Sequence, residues 1–364
     1  MPASLYHPLY FIIVTILSFS VSGKYISSPD YRLQSSINNS LVSWALCIIF
    51  IIWLGTRPIN GQYFGDTANY ALEYSIMESE GKIEANWKSE WIWAALMLFC
   101  KSIHFPIEIF FTIVEAGYFL FAFAAVKKFL PSNPLIGLLF LISSLMFYNF
   151  GVNGIRNGLA CSIVFLAIAC FLENKYLPAI FLSLIAFGTH RSIALPIFGV
   201  ILARYLIKDY LYAVYLWIAC IFISVVTGNF FVNLFGSIDF DDRMSSYLTS
   251  EYNDQFSASG FRWDFLIYST PPIIFAWYVL VKLRIKDDWY RILSIAYCIA
   301  NAFWVLVIRM AFTNRFAYLS WFLYPILIAY PIINLPIWKD QDKKIGLTLA
   351  IYCSFTFFMQ MFVW

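Results

Sequence analysis

Long apolar segments alternate with short polar segments along almost the whole chain. Most of the apolar segments are about 17–25 residues long, which is the length that a helix needs to cross the hydrocarbon core of a bilayer. Because a membrane-crossing segment must satisfy its own backbone polar groups, the pattern predicts helices. Twelve are predicted, at about 5–22, 41–55, 106–126, 134–150, 154–172, 176–191, 193–207, 211–228, 264–282, 290–309, 314–334 and 345–363.

The segments between these helices complete the predicted architecture. A shorter apolar run at about 91–103 lies between charged residues and is predicted to be an interfacial or re-entrant helix. Two longer segments, at about 56–90 and 229–263, are predicted to be loops. Because the sequence has no internal repeat, we expect one all-α, polytopic membrane domain over residues 1–364.

The composition excludes a soluble protein of this length. Hydrophobic residues make up 61% of the chain and charged residues 12%, and the mean hydropathy is +0.73. The 7 cysteines lie in or beside apolar runs without metal-ligand spacing, so we interpret them as small core side chains.

Lysine and arginine are distributed differently over the predicted topology. Ten of the 13 lysines fall in short loops on one side, which the positive-inside rule makes cytoplasmic, so the two long loops are external. Seven of the 11 arginines fall on the external side. Because the arginine fork suits bidentate binding of phosphate, these arginines favour an external anion site, such as one for a lipid-linked phosphate. Alternatively, each of them snorkels or pairs with a loop carboxylate.

Two predicted helices, at about 154–172 and 176–191, are joined by a short turn and carry charges at their far ends. Arg156 lies near the start of the first helix, and His190 and Arg191 lie at the end of the second. A rise of about 1.5 Å per residue places Arg156 roughly 24 Å from the turn and His190 about 20 Å from it. We therefore expect both at one depth near the external interface, where charged residues in a membrane helix indicate a functional site.

Several motifs resemble one known family. NGIRNGLA at 153–160 is followed by FGTHRSIALP at 187–196, and both come after GTRPINGQYFGDTANYALEY at 55–74. The segments KSEWIWAALMLFCKSIHFPIEIFF and TNRFAYLSW extend the pattern. Together these motifs resemble the EpsG family of bacterial polysaccharide polymerases, which are Wzy-like proteins.

The resemblance implies an integral membrane glycosyltransferase without a cofactor. It would join oligosaccharide repeat units carried on undecaprenyl pyrophosphate, at the outer face of the bacterial cytoplasmic (inner) membrane, to make O-antigen, capsule or exopolysaccharide. Its partners would be the lipid-linked donor and acceptor, membrane lipids and a chain-length regulator protein, with no nucleic acid.

This chemistry gives roles to the charged residues. A leaving pyrophosphate requires fixed cations, for which Arg156, Arg191 and Arg315 are the candidates. The acceptor hydroxyl requires a base, for which His190 and Asp66 are the candidates, so the predicted catalytic residues are His190, Asp66 and Arg156. Structural interpretations stay open, since His190 could hydrogen-bond at a helix end and Asp66 could cap the helix that follows it.

Sugar recognition is assigned to Tyr70, Glu90, Trp91 and Asn153, because rings cover sugar faces while carboxylates and amides bind hydroxyl groups. Trp91 also fits an interfacial aromatic belt. In the apolar helix at about 106–126, Glu115 is expected to face the bundle, where it pairs with an arginine or is protonated.

A metal site is the alternative to leaving-group stabilisation by arginine alone. Asp239, Asp241 and Asp242 resemble the acidic pair that holds a metal in some lipid-dependent glycosyltransferases. Acidic runs in loops are usually only solvated, so the reaction is predicted to be metal-independent.

Other functions are compatible with a membrane protein of this composition. A flippase or transporter of lipid-linked sugars would be expected to show repeat symmetry and broken helices at the midplane. A membrane acyltransferase uses an intramembrane histidine but takes its donor from the cytoplasm, whereas His190 is predicted to be external. A glycan ligase would share the chemistry of a polymerase.

Overall fold

The computed structural model describes residues 1–28, 36–79, 90–237, 260–310 and 312–363. All regular structure within these residues is helical, and they contain no strand. The predicted all-α class is therefore confirmed.

The chain forms two compact units, one of residues 1–190 and 329–364 and the other of residues 191–328. The helices of the first unit before residue 190 are α1 (Tyr6–Ser27), α2 (Ser36–Gly55), α3 (Gly61–Phe64), α4 (Thr67–Ser79), α5 (Trp91–Ser102), α6 (Ile107–Phe129), α7 (Pro134–Ile142), α8 (Phe147–Val152), α9 (Ile155–Leu172) and α10 (Tyr176–Thr189). The remaining helices are α11 (Ala194–Tyr205), α12 (Tyr210–Thr227), α13 (Phe230–Ser237), α14 (Trp263–Trp277), α15 (Asp288–Leu306), α16 (Thr313–Trp321), α17 (Tyr324–Asn334) and α18 (Gln341–Phe358).

Eight helical segments among the described residues are long and apolar enough to cross a membrane, so the chain is a multi-pass membrane protein. They are Ala3–Ser27, Ile107–Phe129, Ile155–Leu172, Tyr210–Thr227, Trp263–Lys282, Asp288–Leu306, Thr313–Asn334 and Gln341–Val363. Three shorter apolar helices accompany them, at Asn39–Gly55, Trp91–Ser102 and Tyr176–Thr189. The short helix that was predicted at about 91–103 is thus present as α5.

The helix that was predicted at about 134–150 is wrong, because it is broken into α7 and α8. Side chains from distant parts of the first unit hydrogen-bond the carbonyl groups that the break releases. The Tyr10 hydroxyl donates to the Ile142 carbonyl at 2.8 Å, and Gln360 Nε2 donates to the Leu145 carbonyl at 2.7 Å. Such partners let a helix break persist at membrane depth.

The long segment that was predicted at about 56–90 contains two helices. The helix expected after Asp66 is present as α4, whereas α3 was not predicted. The Asn60 side chain caps α3 by accepting from the backbone N–H groups of Gln62 and Tyr63. Gly65, at φ +52°, then turns the chain into α4. Of the second predicted loop, 229–263, residues 238–259 lie outside the described residues and the start is helical as α13.

The predicted hairpin of two apolar helices is present as α9 and α10, which pack against each other along their length. Its turn is closed by ion pairs, since Glu173 Oε2 lies 2.6 Å from Lys128 Nζ and 2.9 Å from Lys175 Nζ. Asn174, at φ +61°, takes the left-handed conformation that the turn needs. Because α9 also packs on α6, the hairpin is held within the first unit.

The second unit has its own core around α15, which packs on α11 and α12. A buried polar chain crosses it, because Trp217 Nε1 donates to Asn301 Oδ1 at 2.8 Å and Asn301 Nδ2 donates to Ser320 Oγ at 3.0 Å. Buried polar groups that find partners in this way fix one packing arrangement.

Candidate functional site

The candidate site lies in the first unit, where the start of α9, the end of α10 and the residue before α5 meet. Glu90, the residue that precedes α5, is at its centre. Arg156 Nη1 donates to Glu90 Oε2, and His190 Nδ1 lies 2.6 Å from Glu90 Oε1. One carboxylate thus joins the two residues that the hairpin was expected to hold at one depth.

Arg156 is fixed by contacts on several sides of its guanidinium group. Its Nε donates to the Tyr70 hydroxyl at 3.1 Å. The guanidinium carbon lies 5.2 Å from the centre of the Tyr70 ring and 5.8 Å from that of Trp93, which is the geometry of a cation–π contact. The residue is only 7% exposed. A buried guanidinium surrounded by the Glu90 carboxylate, the Tyr70 phenol and the Trp93 ring is held in a single orientation.

The contact with Glu90 decides which nitrogen of His190 carries the proton. An ionised carboxylate only accepts hydrogen bonds, so Nδ1 of His190 is the donor. In the neutral imidazole, Nε2 then has its lone pair available for a proton. The side chains of His190 and Glu90 are 16% and 18% exposed, so both are part-buried rather than sealed in the core. A carboxylate that orients a histidine is a common arrangement for a general base.

Asn153 joins the segment before α4 to the break between α8 and α9. Its Oδ1 accepts from the Asp66 backbone N–H at 2.8 Å. At the same junction the Val152 carbonyl accepts from Thr67 Oγ1 at 2.7 Å. Gly65 lies so close to the Asn153 amide that a Cβ atom there would overlap it. The hydrogen bond from the Asp66 backbone to Asn153 therefore fixes the position of Asp66. Asn153 itself lies three residues before Arg156 in the chain.

Trp91, which was a predicted sugar contact, and Trp93 lie in different surroundings. The ring of Trp91 packs on α10 at Gly188, where an added Cβ would lie 2.5 Å from Trp91 Cε2. Trp93 instead turns inward and contacts Arg156 and Tyr70. Trp93 was not among the predicted site residues. The two-residue spacing of Trp91 and Trp93 does not by itself indicate which ring is buried.

Glu73 is a charged residue near the site that was not among the predicted site residues. It interacts electrostatically with both Arg156 and Glu90. Partial burial raises the pKa of Glu73, which Arg156 opposes and the negative charge of Glu90 reinforces. Its position three residues after Tyr70 on α4 is the signal that could have indicated it, since residues three apart share a helix face.

Glu115 pairs with an arginine, as the sequence analysis expected. Its Oε2 lies 3.8 Å from Arg57 Nη1, and both side chains are fully buried. Arg57 also donates from Nη1 to the Leu54 carbonyl at 2.7 Å and from Nη2 to the Val152 carbonyl at 3.2 Å. Because Val152 precedes Asn153, this buried pair supports the backbone from which the site is built.

The other two predicted pyrophosphate ligands lie in the second unit. Arg191 begins a short 3-10 helix, Arg191–Ile193, that packs against α16. Arg315 lies on α16, with its guanidinium carbon 5.0 Å from the centre of the Phe312 ring. The elements that carry Arg191 and Arg315 are therefore neighbours within this unit.

The metal alternative concerns residues outside the described part of the chain. Asp239, Asp241 and Asp242 all lie between 238 and 259. Among the described residues, no group of three or more histidine, cysteine, aspartate or glutamate side chains has the geometry of a metal site.

Comparison with known proteins adds one finding to this geometry. No curated protein and no solved structure matches the chain. The model of the EpsG family matches residues 42–364, which include every residue of the candidate site. The chain therefore belongs to the EpsG family and is a polysaccharide-polymerase-like membrane protein.

Proposed function

We propose that the protein is a membrane glycosyltransferase that polymerises oligosaccharide repeat units carried on undecaprenyl pyrophosphate. The observation that carries this proposal is the chain of contacts from Arg156 through Glu90 to His190, in a member of the EpsG family. It supplies an oriented base beside a fixed cation, which are two groups that glycosyl transfer from a phosphate leaving group requires.

In the proposed reaction, a hydroxyl oxygen of the acceptor attacks the anomeric carbon of the donor sugar. The new C–O bond forms as the bond to the pyrophosphate oxygen breaks, and the lipid pyrophosphate leaves with the electron pair. Nε2 of His190 accepts the hydroxyl proton, and the carboxylate of Glu90 stabilises the imidazolium that results. Asp66, which was the other candidate base, is proposed to bind a sugar hydroxyl.

The contacts of Arg156 refine its role. Its Nε and Nη1 groups already donate to Tyr70 and Glu90, so we assign Arg156 to orient Glu90 and, through it, His190. Its positive charge is also proposed to stabilise the negative charge that develops on the leaving group. Arg191 and Arg315 remain the proposed direct ligands of the pyrophosphate, since an arginine fork suits two phosphate oxygens.

The predicted sugar-binding residues also receive new roles, because some of them already have partners within the protein. Glu90 is engaged by Arg156 and His190, so we assign it to the base rather than to sugar hydroxyl groups. Trp91, which is 40% exposed, supplies ring surface near the site. The Tyr70 ring is only 3% exposed and packs on Arg156, so we assign Tyr70 to hold Arg156, and Asn153 holds the Asp66 backbone. The sugar surface is thus proposed to lie along α4 and the start of α5.

The lipid carrier sets the proposed location and partners. Undecaprenyl-pyrophosphate substrates are used at the outer face of the bacterial cytoplasmic membrane, so the site is proposed to face outward. The excess of lysine in the short loops of the opposite side supports this orientation. A chain-length regulator protein is a proposed partner, and no metal or other cofactor is proposed.

The test is incubation of the purified protein with a synthetic undecaprenyl-pyrophosphate repeat unit, followed by separation of the products by length. A ladder of products that differ by one repeat unit, formed also in EDTA, is the expected result. A single transfer to another lipid would indicate a ligase, and unchanged substrate would contradict the proposal. Loss of the ladder in EDTA, with rescue by magnesium, would move leaving-group stabilisation to the acidic residues at 239–242.

A further inference from the structure

A cleft of about 400 Å³ lies in the first unit, one helical turn from the candidate site. It is formed by α4, by the turn after α5 and by the start of α6. Its walls combine apolar side chains with cationic and polar ones, among them Ile59, Tyr74, Lys101, His104, Phe105 and Ile107. Tyr74 follows Tyr70 by four residues on α4, a rise of about 6 Å.

The cleft lies at the boundary of a membrane-crossing segment. Ile107 is the first residue of the candidate span Ile107–Phe129, and Lys101 and His104 come just before it. The apolar wall residues Ile59 and Phe105 are 44% and 37% exposed. A cationic group beside exposed apolar side chains, at the end of a membrane-crossing helix, forms a surface that complements an anionic amphiphile.

His104 has an unusual backbone for a residue with a side chain. Its φ of +56° is left-handed, and the Phe105 N–H donates to the Cys100 carbonyl at 3.0 Å, which is the bonding of a helix C-terminus that glycine normally completes. Histidine at this position has a conformational cost that glycine would avoid. The same turn exposes the imidazole in the wall of the cleft, so a function of this side chain would account for its presence.

Lys101 contributes a positively charged ammonium group to the cleft. Its Nζ lies 4.5 Å from the centre of the Tyr74 ring, so the ammonium group is held over the cleft wall. The Tyr74 hydroxyl in turn donates to the Phe105 carbonyl at 2.7 Å, which fixes the ring and the turn together. The cation is thus placed by a rigid aromatic support.

We propose that this cleft binds the phosphate head of the acceptor polyprenyl lipid, with Lys101 and His104 as donors to its oxygens, whereas Arg191 and Arg315 are the proposed ligands of the donor pyrophosphate. Ile59, Phe105 and Ile107 would cover the first units of the prenyl chain. The choice of a polyprenyl lipid over other anionic lipids rests on the proposed function and on the single helical turn between Tyr74 and Tyr70, which contacts Arg156. A head held here leaves its sugar beside the Arg156–Glu90–His190 cluster.

The test is binding of undecaprenyl phosphate to the full-length protein in detergent, with phosphatidylglycerol and phosphatidylcholine as comparison lipids. The variants are Lys101→Gln and His104→Gly. Asn174→Gly is the matched control, because Asn174 has the same left-handed conformation and the same bonding, with the Lys175 N–H donating to the Cys170 carbonyl at 2.9 Å.

We expect His104→Gly to keep or raise the melting temperature, since glycine suits its backbone, yet to weaken undecaprenyl phosphate binding about fivefold. Lys101→Gln should weaken binding about tenfold, because it removes a charge-assisted hydrogen bond. Asn174→Gly should bind as the wild type does. Phosphatidylglycerol should bind more weakly than undecaprenyl phosphate and phosphatidylcholine not measurably.

Wild-type affinity in both Lys101→Gln and His104→Gly would overturn the proposal. Equal binding of phosphatidylglycerol, lost equally in both variants, would assign the cleft to bulk anionic lipid and overturn the choice of a polyprenyl lipid. The assay involves no turnover, so its failure leaves the polymerase proposal to the product ladder. Binding without any ladder would instead contradict the proposed function alone.

Discussion

At the scale of single residues, Glu90 connects the groups on which the proposed chemistry depends. It accepts from Arg156 with one oxygen and contacts His190 with the other, so its charge and its two-sided geometry are both used. The hairpin pattern was sufficient to predict that Arg156 and His190 lie together. It was not sufficient to predict Glu90 as their link, because Glu90 comes from a segment 66 residues earlier than Arg156.

Arg156→Lys tests whether the shape of the guanidinium group matters in addition to its charge. Lysine keeps the charge but cannot donate from a fixed fork to Tyr70 and Glu90 at the same time. We expect polymer formation to fall by a factor on the order of 10²–10³ at matched membrane expression. Arg284→Lys, far from the site in the sequence and on the predicted cytoplasmic side, is the control and should be nearly normal. A normal rate in Arg156→Lys would remove the role assigned to Arg156.

At the scale of helices, periodicity predicted the elements that are continuous and missed those that tertiary contacts decide. The α9–α10 hairpin follows from two apolar runs and a polar turn. The break between α7 and α8 depends on Tyr10 and Gln360, which no local pattern connects to residues 143–146. A tertiary contact also decides which tryptophan reaches Arg156. The Trp91 ring packs against Gly188 of α10, and it is the Trp93 ring that contacts Arg156.

Gly188→Ala tests whether this packing positions the site. The new methyl group would overlap Trp91 and Ile92 at the start of α5, and relief of the overlap would displace the adjacent Glu90. We expect the rate of polymer formation to fall roughly 10- to 100-fold, since small displacements of catalytic groups have large effects. Gly23→Ala on α1 is the control, because nothing lies within 4 Å of its Cβ position. Equal activity of both variants would show that the α5–α10 contact does not position Glu90.

The buried Arg57–Glu115 pair gives a prediction for stability. Loss of one partner leaves an uncompensated charge, so Arg57→Met or Glu115→Leu alone should destabilise the protein by about 3–5 kcal/mol. The double variant should cost clearly less than the sum of the two, because no unpaired charge remains. Thermal unfolding of the four proteins in detergent measures this cycle. Additive losses would mean that the two side chains do not act as a pair.

At the scale of the whole molecule, hydropathy was sufficient to predict a multi-pass, all-helical membrane protein and not sufficient to predict how many segments cross. Eight described segments meet the length and composition of a span, where twelve helices were expected. Several predicted spans are short or broken, and apolar content alone does not distinguish a short buried helix from a crossing one. The sidedness of the chain stays a prediction from its lysines.

Cysteine labelling tests that sidedness. In a cysteine-free background, Ser102→Cys and Ser132→Cys place exposed thiols just before and just after α6. We expect an impermeant reagent added to intact cells to label the first and not the second, because Lys127 and Lys128 mark the cytoplasmic end of α6. The reverse result would place the candidate site on the cytoplasmic side and exclude the proposed reaction there.

The most direct test of the account is the rate at which purified Glu90→Gln forms the product ladder. Glutamine keeps the size of the side chain but loses its charge, and its amide group can no longer accept from both Arg156 and His190. We expect a fall on the order of 10⁴-fold, as when a histidine base loses its orienting carboxylate. Glu108→Gln, an exposed carboxylate in the first turn of α6, should keep the wild-type rate. A ladder from Glu90→Gln at the wild-type rate and length would contradict the assignment of Glu90 and His190 as the catalytic base.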